Sequence, residues 1–212
     1  MQSQRCEHSR AATPESRWAQ EQSTTVELNH RIANSLQLVC SFLSLQERDV
    51  VEPAAKTALR AAASRVAAVA MVHRALLKGE GKTVDLGALL SSLCTNAGAA
   101  TGLSIVLDAD SVTLPVDVAE GAAIVVNELI LNAAKHAYNG GAGEVLVSVR
   151  RAPSSEATIT VADHGPGIPG HGAREGSGVG MTIMDAAVHR VGGSLSFDSR
   201  QGTRATLVIP AQ

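Results

Sequence analysis

From Pro14 to Glu47 no glycine or further proline interrupts the chain, and Leu28, Ile32, Leu36, Val39 and Leu43 recur at steps of three and four. That is the period of one apolar face of an α-helix. Thr13-Pro14-Glu15 reads as its start, with a capping hydroxyl, a proline at the first helical position and an acid in the first turn. Glu27, His30, Asn34, Gln37 and Ser41 fall on a polar face beside the stripe. A break at Arg48 to Pro53 separates a second helix, expected from about Ala54 to Leu77. Its stripe is Leu59, Ala62, Val66, Val69, then Val72 or His73, and Leu76. The alternating three and four steps make a heptad pattern. Two such helices joined by a short loop form an antiparallel hairpin. One hairpin offers too little surface for its apolar stripes, so two should pair as a four-helix bundle, predicting a homodimer.

The polar, glycine-containing stretch Lys78 to Lys82 marks a domain boundary. Beyond it the texture changes. Asp85 should cap a helix reaching about Ala100, with Gly102 ending it. Short β-like runs follow at Leu103 to Leu107 and Val112 to Leu114. A long helix is expected from about Asp117 to Tyr138, stopped by Asn139-Gly140-Gly141. Glu144 to Arg151 and Ala157 to Ala162 read as strands. A helix over Val179 to Val191 and strands at Ser194 to Asp198 and Arg204 to Ile209 complete the pattern. The expectation is therefore a disordered segment 1–12, a helical hairpin over 13–77, and an α+β sandwich over 83–212 with helices on one face of a mixed sheet.

Composition narrows the function classes. Hydrophobic residues make up 45% of the chain but aromatics only 2%. The core must be aliphatic, and a base-stacking surface has no platforms to use. Lys and Arg number 18 against 20 Asp and Glu, so no strong field draws nucleic acid or an anionic membrane. Cys6, Cys40 and Cys94 form neither a disulfide framework nor a zinc pattern, which suits a cytoplasmic location. The polar N-terminus does not read as a signal peptide, and no apolar run reaches the roughly 18 residues of a membrane span. Any sensor is then expected to be a separate protein or to be absent.

Four local patterns carry candidate chemistry. His30 lies on the polar side of the first helix, where an exposed imidazole is a capable nucleophile toward a phosphoryl group. Alone it would be an ordinary surface histidine. Asn34 sits one turn further on the same face and could orient water or an incoming aspartate. The second pattern is Asn127-Glu128 followed by Asn132, Lys135 and His136. Glu128, Asn132 and Lys135 (or His136) share a helical face. The carboxamide or carboxylate oxygens among them suit Mg²⁺ bridged to phosphates, and Lys135 adds positive charge. Third, Asp163-His164-Gly165-Pro166-Gly167 follows a strand, placing an acceptor where it could read an adenine amino group. Fourth, Gly176-Ser177-Gly178-Val179-Gly180 opens a helix and could present N–H groups to an anion. It lacks the Gly-Lys-Ser/Thr of a P-loop and is no dinucleotide fingerprint. Gly202-Thr203 lines the same pocket or is simply a hairpin turn.

Taken in order, these segments resemble sensor histidine kinases of the GHKL ATPase superfamily. The region of His30 is similar to the HisKA_2 family related to the HWE kinases. NELILNAAKH is similar to the N-box, DHGPGIP to the G1 box and GSGVG to the G2 box. The likeness runs from about Val26 to Pro210. It implies a Bergerat-type ATP fold, with ATP and Mg²⁺ as cofactors and His30 as the phosphorylated residue. By the same resemblance Asn132 holds the metal, Glu128 lies close to the catalytic region, and Lys135 lies near the phosphates. Asp163 binds adenine in a pocket shaped by Gly165 and Gly167, and Gly176, Gly178 and Gly180 serve the lid and phosphates. The implied partner is a response regulator receiver domain, whose aspartate takes the phosphoryl group. The family usually carries Lys at the position of Ala33 and Asn at that of Ser35, so one charge and one amide are missing here. Three readings follow: a kinase, a phosphatase of a phosphorylated response regulator, and a phosphotransfer module with vestigial ATP binding.

Overall fold

The structure is a computed structural model that describes residues 14–77, 83–152, 155–167 and 179–211. The first helix, α1, spans Pro14–Asp49, and α2 spans Pro53–Leu76. They pack side by side as the expected hairpin. The packed face of α1 differs in part from the stripe read in the sequence. Asn29 and Ala33 are buried, and Ile32, Leu36, Cys40 and Leu43 are half-buried. Leu28 and Val39, also read as part of that stripe, are exposed within the hairpin, together with Leu38, Phe42 and Leu45. The helix thus carries two apolar stripes, and Leu28 and Val39 belong to the outer one. Asn29 can be buried because its Oδ1 lies 3.0 Å from His73 Nδ1 on α2. Burying an amide is cheap only when it is bonded.

After the boundary segment 78–82, which lies outside the described residues, β1 (Thr83–Asp85) leads into α3 (Leu86–Thr101). Asp85 caps α3 by accepting from the Ala88 N–H at 2.8 Å, and Gly102 ends it in the left-handed region at φ 77°. β2 (Ser104–Ala109) and β3 (Thr113–Pro115) follow. Next comes α4 (Val116–Asn132), continued by a π turn over Ala133–Ala137. The sequence pattern predicts one uninterrupted α-helix to Tyr138. The structure widens its last turn, with the Tyr138 N–H reaching the Ala133 carbonyl at 3.1 Å. β4 (Glu144–Ala152), β5 (Glu156–Asp163), α5 (Val179–Arg190), β6 (Ser194–Asp198) and β7 (Arg204–Pro210) complete the chain.

The main sheet has the order β2-β4-β5-β7-β6, parallel between β2 and β4 and antiparallel elsewhere. β1 and β3, of which the sequence reading missed β1, form a separate two-stranded antiparallel ribbon. One face of the main sheet is buried through Val145, Val147, Val149, Ile159, Val161, Leu207 and Ile209, and α3, α4 and α5 cover it. This is the mixed-sheet α+β sandwich that the pattern predicts. The hairpin joins it through α2, whose Ala68, Val72 and Leu76 are fully buried in the same core as α4. No helix among the described residues is long and apolar enough to cross a membrane.

Helix α5 lies close against α4 because Gly121 leaves room for it. A β-carbon at Gly121 would stand 2.5 Å from Val191 Cγ1 and 3.4 Å from the Ala187 carbonyl oxygen. Gly121→Val should therefore overpack the contact and cost about 1–3 kcal/mol. A lower urea midpoint with an unchanged slope in equilibrium unfolding is the expected result.

Candidate active site

His30 is exposed on α1, and its Nδ1 lies 3.2 Å from the Asn34 amide one turn later. That contact engages Nδ1 and leaves Nε2 with no protein partner among the described residues. The imidazole is thus held by its own helix rather than by the sandwich. Ala33 is buried against α2 at 3% exposure, where a longer cationic side chain would have to displace the hairpin contact. Ser35 lies on the outer apolar stripe, well around the helix from His30.

The Asn127-Glu128 pair sits mid-helix on α4 and is buried, at 2% and 1% exposure. Its surroundings come from α2. Arg65 grips Glu128 with two parallel bonds, Nε to Oε1 at 2.6 Å and Nη2 to Oε2 at 2.8 Å. This fork geometry matches a guanidinium to a carboxylate, and it raises the Arg65 pKa further, chiefly through the hydrogen bonds to Glu128. Ser64 Oγ donates to Asn127 Oδ1 at 2.9 Å, while Asn127 Nδ2 is buried without a partner. Gly180, in the first turn of α5, closes the third side. A β-carbon there would come within 2.8 Å of Glu128 Oε2.

Asn132 is half-buried at the last α-helical position, and Lys135 and His136 are exposed on the π turn. Single π turns often occur at functional sites, because the extra residue re-aims the side chains that follow. The turn brings Ala137 against Gly165, where a β-carbon would come within 2.4 Å of the Ala137 Cβ. Asp163, at the end of β5, is 9% exposed. Its Oδ1 accepts from the Gly165 N–H at 2.9 Å and the Thr203 N–H at 3.0 Å. Oδ2 accepts nothing among the described residues. The carboxylate is therefore oriented by backbone donors through one oxygen and keeps the other available for a ligand's donor.

Glycine is required on both sides of this acid. Gly202 has φ 76°, and a β-carbon there would stand 2.0 Å from the Asp163 carbonyl oxygen. Gly167 has φ 78° and packs on the Ser199 carbonyl. Thr203 takes part through its backbone, donating to the Asp163 carboxylate and accepting from the Asp163 N–H at 2.9 Å. Gly176 and Gly178 lie outside the described residues. The donor set fits a nucleotide: a free carboxylate oxygen at one end, and an amide and a cation near the α4 terminus at the other.

Sequence reasoning did not find Arg65, Ser64, or the polar chain that ties the hairpin to the sandwich. In that chain His73 Nε2 lies 3.2 Å from Glu120 Oε1 on α4, and Arg190 on α5 stands 3.7 Å from Glu120 Oε2. A signal was present: Ser64-Arg65 interrupts the small apolar run AAASRVAAVAMV, and a lone charge in such a run needs a buried partner. The two described cysteines offer no competing chemistry. Burial raises the thiol pKa of both, that of Cys94 to about 11.

Residues 27–100 match the HisKA_2 family, described as "Histidine kinase". Residues 117–212 match HATPase_c, the histidine kinase-, DNA gyrase B- and HSP90-like ATPases. The sensor histidine kinase PdtaS of Mycobacterium tuberculosis is 30% identical over 206 residues, covering 89% of this chain and 39% of its own length. Blue-light-activated histidine kinase 2 of Erythrobacter litoralis is 27% identical, covering 84% of this chain and 53% of its own. The chain thus spans about half or less of these relatives. Among solved structures, the histidine kinase domain of E. litoralis EL346 superposes with a TM-score of 0.65 at 22% identity, covering 92% of this chain and 94% of that one. It shares the whole arrangement of hairpin and sandwich. With both halves matched in order, the chain belongs to the histidine kinases, as a HisKA_2 hairpin followed by a GHKL-type ATPase domain.

Proposed function

We propose that the protein transfers the γ-phosphoryl group of ATP to His30 and from there to an aspartate of a response regulator receiver domain. The observation that carries this reading is the pairing, in one chain, of an exposed imidazole that contacts Asn34 with a nucleotide-type pocket built around Asp163. Adenine is read by Asp163, whose Oδ2 accepts from the exocyclic amine while Gly165 and Thr203 hold Oδ1. Asn34 Nδ2 stands 3.2 Å from Nδ1; in the tautomer protonated on Nδ1, with the amide turned to present its oxygen, Nε2 keeps its lone pair and attacks the γ-phosphorus in line. The bond to the β-phosphate bridging oxygen breaks, ADP leaves, and the imidazolium proton passes to solvent. Little covalent work falls to the protein, so positioning and charge neutralisation carry the rate. Asn132 would hold Mg²⁺, which supplies charge neutralisation on the phosphates when bound. A single amide oxygen suits an ion that keeps most of its waters and its phosphate ligands. Lys135 and His136 stand ready beside the phosphates, and Glu128, with Asn127 next to it, lies one turn before Asn132.

The hairpin's outer stripe supports a homodimer. Leu28, Leu38, Phe42 and Leu45 are 56%, 72%, 60% and 56% exposed, at heptad-like steps along α1. A second hairpin presenting the same stripe would cover them as a four-helix bundle.

Three outcomes are expected. Incubation with γ-labelled ATP and Mg²⁺ should yield acid-labile label on the wild type. His30→Ala should carry none, and Asn132→Ala should label at least about a hundred-fold more slowly. Label persisting in His30→Ala would remove His30 as acceptor. Asp163→Asn keeps an oxygen for the two backbone donors but turns an NH₂ toward the adenine amine. ATP affinity, read by isothermal titration, should fall by roughly ten- to a hundred-fold. Leu38→Glu combined with Phe42→Glu should convert a dimer to a monomer in sedimentation velocity.

A further inference from the structure

The geometry points to an autoinhibitory strap: we propose that α2, through Arg65 and Ser64, holds the Asn127-Glu128 pair in a docked state that phosphoryl transfer must first break. This inference rests on the kinase reading above. Glu128 is the acid of the nucleotide site, yet neither of its oxygens is free. Arg65 occupies both, and Gly180 packs against Oε2. A carboxylate held by a fork of two N–H donors is a poor proton acceptor and cannot turn toward a substrate. His30 is disengaged as well. Its imidazole contacts Asn34 on its own helix, and no hydrogen bond or ion pair joins it to α4, the π turn or the Asp163 loop among the described residues. The acceptor and the acid are each satisfied away from the other, which describes a resting state.

The strap is graded along α2. Toward its C-terminal end Ala68, Val72 and Leu76 are fully buried with the sandwich core. That end stays docked. Toward the middle of the helix the contact turns polar at Ser64 and Arg65. There it also carries a defect, because Asn127 Nδ2 is buried with no acceptor. A buried donor regains a partner only when the contact opens to water. Apolar anchorage at one end and a polar, incompletely satisfied contact at the other describe a strap that lifts from the Arg65 end. Gly180, at the start of α5, leaves no spare room beside the pair: a β-carbon there would stand 2.8 Å from Glu128 Oε2 and 3.8 Å from Arg65 Nη2.

Arg65→Gln removes the charge and leaves Glu128 buried without its counter-ion, so the docked state should lose its advantage over the open one. The initial rate of acid-labile labelling by γ-labelled ATP should rise about three- to ten-fold over wild type. Arg65→Lys, which keeps the charge but not the fork, should fall between the two. Ser64→Ala should raise the rate by a smaller factor. Hydrogen exchange over residues 60–67 should quicken in the same order. Wild-type label on His30 with a rate unchanged or lowered in Arg65→Gln, in protein that still binds ATP, would overturn the strap and leave the kinase reading intact. Should Arg65→Gln not fold, Arg65→Lys and Ser64→Ala decide on the same criterion. Absence of label in every form despite bound nucleotide would instead overturn the kinase reading, and the inhibitory role with it. Label in Arg65→Gln but not in wild type would be the strongest support.

Discussion

A carboxylate taken out of water needs a counter-charge or a set of hydrogen-bond donors, and Glu128, 1% exposed in the middle of α4, meets that constraint through the Arg65 guanidinium. The counter-charge is not supplied by the sandwich itself. It comes from a helix of the hairpin, so the two halves of the chain are bound to each other by an electrostatic necessity as well as by apolar contact. Removing one partner of such a buried pair typically costs about 3–5 kcal/mol if the other charge stays buried. The rest of the arrangement follows from satisfying this pair. α2 must lie along α4, Gly180 must lack a side chain, and α5 must start where it does.

The Asp163 end of the candidate site is organised on the opposite principle. Asp163 has no cationic partner among the described residues. Backbone N–H groups from Gly165 and Thr203 orient it, and two residues in the left-handed region, Gly167 and Gly202, let the flanking loops approach it closely. Backbone donors leave one carboxylate oxygen uncommitted, whereas a guanidinium fork commits both. One carboxylate therefore keeps an oxygen without a protein donor among the described residues, and the other keeps none. The π turn at Ala133–Ala137 stands between them and carries Lys135 and His136 on its exposed side.

Much of this was legible in the residue pattern, because the features that made it legible are local. The cap at Asp85, the stop at Gly102, the alternation in β4 and β5 and the glycines around Asp163 each act within a few residues of themselves. What the pattern concealed was pairwise and distant. Leu28 and Val39 share helical spacing with Ile32 and Leu36, and only the neighbour across the hairpin decides which stripe faces inward. The three-residue β1 is too short to show a period, and its partner β3 lies across the whole of α3. The π turn has no signature in AAKHA, and the close seat of Ala137 on Gly165 that accompanies it is a contact between residues far apart in sequence. Arg65 needed α4 as its partner before it could be recognised as anything other than a solvated charge.

Helix α2 belongs to two packing units at once: one face lies on α1, and another is part of the sandwich core through Ala68, Val72 and Leu76. A rigid helix turns by the same angle everywhere along its length. A small roll imposed on the hairpin from its α1 side would therefore arrive at Ser64 and Arg65 undiminished, and His73, joined to Asn29 on one side and to Glu120 on the other, would register it in both units. A torque applied to α1 beside His30 thus has a path to Arg65 and Glu128 through packed helices, without crossing a loop.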